Sequence, residues 1–188
     1  GHFHALRARH PIALQQRLDA GHQFYRLERF CHIVIGSKFE TLQFLTGLAF
    51  GGEEEPGIQG NFPDDKRTGE TALLFLQMIM RRLRKPGGRA AVVVPNGTLF
   101  GDGVSARIKE EMLKEFNLHT IVRLPKGVFA PYTSIPTNLL FFERGGPTRQ
   151  IWYYEHTLPE GQKNYTKTRP LQFEEFEPLM AWWGQREE

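Results

Sequence analysis

The sequence predicts an α/β fold built on a buried strand, a crossover helix and further apolar strands, and three observations predict it. Ala90 to Val94 is an unbroken apolar run ending in three valines, the pattern of a strand covered on both faces. Val104, Ile108, Met112, Leu113 and Phe116 recur at helical spacing, with Lys109, Glu110, Lys114 and Glu115 turned away. Two more strand-like runs follow, His119 to Leu124 and Thr137 to Phe142. Strand, helix and strand then make a right-handed βαβ unit. Ligands of such sheets lie at the carboxyl ends of the strands, which singles out the loops Pro95 to Gly103 and Pro125 to Pro136.

Taken in order, Pro11 to Phe30 is loosely helical and broken by Gly21, and Cys31 to Ile35 and Phe39 to Leu45 have the look of short strands. An acidic loop runs from Phe50 to Thr68. Thr68 is placed to cap a helix whose first turn holds Glu70; Arg81, Arg82, Arg84 and Lys85 suit its negative end, and Pro86-Gly87-Gly88 stops it. Asp102 is expected to cap the helix from Val104, and Asn117 to close it in a left-handed turn. After the turn at Arg144 to Pro147, Gln150 to His156 reads as an edge strand or hairpin arm. Gly161 to Pro170 reads as polar loop, and Phe173 to Trp183 as a short helix with Pro178 near its first turn. Trp182 and Trp183 are read as packing residues rather than base-stacking ones, because the charges near them are mostly acidic. Composition sets an atypical basic segment 1–45 apart, and the element pattern then divides the rest into an α/β part 46–145 and a hairpin with short helix 146–188.

Charge narrows the function classes. The net charge of +3 comes wholly from residues 1–50, which hold six Lys/Arg against three Asp/Glu, while the remainder holds eighteen of each. Five of the seven histidines lie in the same segment. His2 and His4 lack a partner carboxylate or cysteine at ligand spacing, so no metal site is expected. The lone Cys31 excludes a disulfide framework, and the longest apolar run, Ala72 to Met80, is too short to span a bilayer. A cytoplasmic setting without membrane contact is the expectation.

Gly101-Asp102-Gly103-Val104-Ser105-Ala106 matches the form of a dinucleotide fingerprint, yet Asn96 to Phe100 separates it from the strand. About twenty residues further on, where an acid would hold a ribose, stands Arg123. A tight turn before a helix accounts for it better.

A different resemblance is specific. Arg84 to Gly103, Leu118 to Pro125 and Gly127 to Phe142 resemble the modification subunit of type I restriction-modification systems, and the likeness runs from about Phe50 to Trp183. It implies a Rossmann-like S-adenosylmethionine-dependent methyltransferase fold, here a partial sheet with a terminal antiparallel strand. It also implies methyl transfer from S-adenosylmethionine to the exocyclic amine of adenine in DNA, with specificity and restriction subunits as partners. Where the family has Asn-Pro-Pro-Phe, this chain has Gly47, Leu48, Ala49 and Phe50. The asparagine and a proline carbonyl would accept hydrogen bonds from the target amine, and Gly47 has no side chain to do so. Only stacking by Phe50 carries over, and Phe129 or Tyr132 would sandwich the flipped base, with Asn96 lining the cleft. The family's glycine-rich cofactor loop has no candidate in residues 1–50, which leaves the cofactor-binding residues unassigned. The chain is therefore read as a piece of such a subunit, inactive alone. The alternative is a non-catalytic assembly piece that contacts partner subunits, or its own copy, through an exposed sheet edge.

Overall fold

The computed structural model describes residues 56–83, 87–131 and 133–186. The helical and strand expectations for residues 11–45, the degenerate motif at Gly47, Leu48 and Ala49, and the stacking candidates Phe50 and Tyr132 all lie outside them. Within them a four-stranded sheet is flanked by helices. The strands are β1 (Arg89–Pro95), β2 (Asn117–Leu124), β3 (Thr137–Glu143) and β4 (Trp152–Glu155). Their order is β1-β3-β2-β4.

The expected antiparallel strand is β3, the last of the three long strands in the chain and central among them in space. It pairs antiparallel with both β1 and β2. The two outer strands thus run parallel to each other without touching, where a simple βαβ unit would have set them side by side. β4 pairs in parallel with β2, which makes the Gln150 to His156 arm an edge strand and not a hairpin.

Helix α1 is a single turn (Pro56–Gln59), α2 is Thr71–Arg82, α3 is Asn96–Phe100, α4 is Val104–Glu115 and α5 is Glu177–Trp183. Three caps differ from expectation. The Thr68 hydroxyl accepts from the Glu70 N–H at 3.1 Å and so forms a turn ahead of the helix, whose cap position is Glu70. Gly103, at φ 61°, takes the cap position of α4 in place of Asp102. Phe116 ends α4 in extended conformation, so Asn117 opens β2 directly. Phe116 has good reason to leave the helix: its ring is fully buried and meets Phe142 edge to face at 5.6 Å.

Strand alternation sends successive residues to two cores. Ala90, Val92 and Val94 join Leu140 and Phe142 under α2 and α4, through Leu73, Leu76, Ile79, Ile108 and Met112. Ala91 and Val93 join Val122, Leu124, Leu139 and Phe141 on the other face, covered by Phe176 and Leu179. Trp183 packs edge-on to Phe141 at 4.8 Å and Trp182 lies 5.0 Å from Tyr154, the packing role expected of them. Arg144 clamps one end, donating to the Met80 carbonyl at 3.2 Å and to Glu115 at 2.9 Å, with its guanidinium over the Phe116 ring.

The segment after β4 is fastened by a polar chain that runs from buried His156 and Tyr165 out to exposed Gln172. The Tyr165 hydroxyl donates to one Glu175 oxygen at 2.5 Å, and the other oxygen accepts the Gln172 N–H at 2.7 Å. With its one hydrogen spent on Glu175, the Tyr165 oxygen accepts from His156 Nε2 at 3.0 Å. Burial holds the His156 pKa below its ordinary 6.5, against an opposing pull from Glu175. The folded chain therefore refuses a proton that the unfolded chain accepts. Stability is expected to fall as pH drops from about 6.5 towards the lowered value, and to lose this dependence below it. Denaturant midpoints measured across that range should show the slope, and His156→Gln should flatten it.

Candidate functional site

β1 and β2 both end at the edge of the sheet where β3 begins, so Pro95, Leu124 and Thr137 lie side by side there. This is the carboxyl end of the parallel strands, where open α/β sheets take their ligands. Asn96 opens α3 immediately beyond β1. Its N–H donates to the Pro136 carbonyl at 3.0 Å, and its side-chain oxygen accepts from Asn138 Nδ2 at 3.2 Å. Asn138 is fully buried in β3, opposite Val94 on one side and Arg123 on the other. Its Oδ1 finds no donor, nor does the neighbouring Thr137 Oγ1 find a partner.

Helix α3 is one turn, yet it is held from within. Ser105 Oγ donates to the Thr98 carbonyl at 2.8 Å, and Lys109 Nζ donates to the carbonyls of Leu99 at 2.6 Å and Gly101 at 2.9 Å. Thr98 is buried and Leu99 packs on the core. Asn96 and Phe100, four residues apart, share the opposite face. Phe100 is 65% exposed, and Ile135, two residues ahead of β3, is also uncovered.

Of the residues anticipated for a base pocket, Asn96 follows directly on the end of β1. Phe129 is not in an open cleft: it is 2% exposed and packs with Val128, Leu139 and Phe141 in the core. The physical reason lies in Gly127, which at φ 80° turns the loop inward and lets Val128 and Phe129 plug the sheet face beside Tyr165. Asn138 and Phe100 were passed over. Asn138 had a readable signal, a carboxamide at the head of the apolar run Leu139 to Phe142. Phe100 had none, since an apolar pair beside a glycine turn reads equally as core.

A cavity of about 710 Å³ opens at the opposite end of the sheet, bordered by Arg89, His119, Glu143, Arg149 and Arg186. Being at the amino ends of β1 and β2, it is on the wrong side for the ligand of such a sheet. No described helix is long and apolar enough to cross a membrane. Among the described residues no group of three or more His, Cys, Asp or Glu could hold a metal ion.

Comparison with known proteins follows this geometry. The family described as N-6 DNA Methylase matches residues 53–188. The methylase subunit of the type I restriction enzyme EcoEI from Escherichia coli is 58% identical over 140 residues, which are 74% of this chain and 28% of that one. A crystal structure from Vibrio vulnificus YJ016, attributed to the modification subunit of a type I restriction enzyme, is 66% identical. It covers 73% of this chain and 30% of that one, with a TM-score of 0.70. A structure addressing complex assembly and conformational transition of a type I restriction-modification system is 51% identical, at TM-score 0.68, over 71% of this chain and 27% of that one. The chain thus spans less than a third of the length of these relatives.

Proposed function

Because this chain belongs to the N-6 DNA methylase family, we propose that it forms the later part of the catalytic domain of a type I modification subunit and walls one side of its adenine pocket. The whole enzyme would move a methyl group from S-adenosylmethionine to the exocyclic amine of adenine in DNA. Its setting would be the cytoplasm, and its partners DNA and the specificity and restriction subunits. Residues 46–145 would be the catalytic part and residues 146–188 a cover for one sheet face.

One observation carries this reading. The antiparallel β3 is wedged between two parallel strands whose carboxyl ends meet at Asn96 and Asn138. S-adenosylmethionine supplies the methyl group when bound. The described residues suit a planar base at this end, through a carboxamide and an exposed ring. No described residue is assigned to the donor's amino-acid end, and no step is routed through it.

Gly47 stands where an asparagine carbonyl would draw electron density through the target amine. Losing one such preorganised polar partner costs on the order of 3 kcal/mol, about a hundredfold or more in rate. The purified chain, mixed with labelled S-adenosylmethionine and duplex DNA, is expected to leave the DNA unlabelled. Label entering DNA with this polypeptide alone would overturn the reading.

A second reading, an assembly piece, draws on the edge strand β4, where Tyr153 is 51% exposed, and on Ile151 just before it, 40% exposed. Self-association through that edge would show as a concentration-dependent mass in sedimentation. A monomer at all concentrations would remove self-pairing.

A further inference from the structure

We infer that the cavity at the amino ends of β1 and β2 is a docking site for an acidic segment of a partner protein, separate from the pocket at the other end of the sheet. Charge is the first observation. Three arginines, Arg89, Arg149 and Arg186, border the cavity against a single acid, Glu143, which leaves its lining two positive charges in excess. Arg89 and Glu143 are paired at 3.2 Å. Arg149 is exposed, and no carboxylate among the described residues pairs with it. Arg186 is held in place: its guanidinium lies 3.7 Å over the Trp183 ring, Nε donates to the Trp183 carbonyl at 3.3 Å, and a terminal nitrogen donates to Thr120 Oγ1. A planar fork oriented beforehand loses little freedom on meeting a carboxylate.

What surrounds the charges selects the kind of anion. Phosphates are favoured at helix N-termini, whereas α2 stops at Arg82 ahead of β1 and α4 stops at Glu115 ahead of β2, so both turn their carboxyl ends this way. With Glu143 on Arg89, the lining offers the charge of two guanidiniums around a hollow. That is too little for a nucleic-acid strand, charged at every nucleotide and bound along an open basic groove. A peptide can space two carboxylates and set an apolar side chain between them. The cavity has the surface for it, since buried Phe141 and Phe142 and half-buried Trp152 and Trp183 also line it. Its volume of about 710 Å³ is in the range of hollows that enclose a compact group of atoms.

Fluorescence polarisation with the 188-residue chain tests the inference. The probes are fluorescein-labelled peptides Ser-Glu-Xaa-Glu-Ser with leucine, phenylalanine or tyrosine at the centre. The comparisons are the same peptides with glutamine for glutamate, and a labelled thymidine oligonucleotide of equal length. An acidic peptide is expected to bind saturably and more weakly as salt is added, with both comparisons about tenfold weaker or more.

Arg149→Glu should weaken peptide binding about tenfold or more and leave the melting temperature nearly unchanged, because the side chain is exposed. Arg169→Glu makes the same charge change at an exposed position outside the cavity and should leave binding nearly as it was. Binding by none of the acidic peptides, equal binding by the oligonucleotide, or equal losses in the two variants overturns the inference. So does a dimer of the chain in sedimentation that Arg149→Glu dissolves, since the occupant would then be a second copy. Neither methyl donor nor duplex DNA enters these titrations, so their outcome is independent of the methyl-transfer assay.

Discussion

Replacing Gly127 by alanine is expected to destabilise the chain by about 3–5 kcal/mol, through backbone strain and overpacking together. At φ 80° a Cβ already faces the left-handed penalty, about 1–2 kcal/mol. The larger part comes from where that Cβ would sit, 2.1 Å from the Tyr165 carbonyl oxygen. That oxygen cannot swing aside cheaply, because the Tyr165 N–H is bonded to the Lys126 carbonyl at 3.1 Å and its ring to His156 and Glu175. Moving the loop instead would withdraw Val128 and Phe129 from the core. Gly87→Ala is the matched control: its φ is 87°, but nothing lies within 4 Å of the added carbon. It should cost only the conformational part. Urea midpoints of the two variants, compared at unchanged slope, test the difference.

The second large effect is expected at Phe142→Ala, about 3–5 kcal/mol. Phe142 is fully buried, sits in β3 between Ala90 and Leu118, and closes against Phe116 at the foot of α4. Ala90 on one side is too short to refill the space, which keeps the cost near the upper end of the range. Phe142→Leu should recover about half of it. A loss below about 1.5 kcal/mol for the alanine variant would show that the α2 and α4 layer collapses onto the sheet far more readily than close packing implies.

What the sequence made legible follows the physics of each element. β1, α4, β2 and β3 were readable because both faces of the strands and one face of the helix are committed to apolar partners, and periodicity records that commitment. The order of strands in space was not, since a buried run says that it has neighbours without saying which. Helix ends were missed where tertiary packing outweighed local chemistry: Asp102 yielded to Gly103, and Phe116 left the helix to reach its core site. The position of Asn96 directly after a strand end was legible. Phe129 misled because an apolar residue in a long loop reads as exposed until Gly127 is known to turn it inward. The partner of Asn96 lies 42 residues away and is visible only once the register of β3 is known.

The wedged strand also constrains the order of events during synthesis. β1 and β2 do not pair with each other, and the rungs that each makes with β3 wait for a segment that leaves the ribosome last of the three. Among the described residues Val94, for example, has no rung until Asn138 arrives. Ladders closed across such distances are slow to form. Until then two valine- and leucine-rich edges stand open in a nascent chain, which makes early engagement by a chaperone the natural safeguard against misjoining.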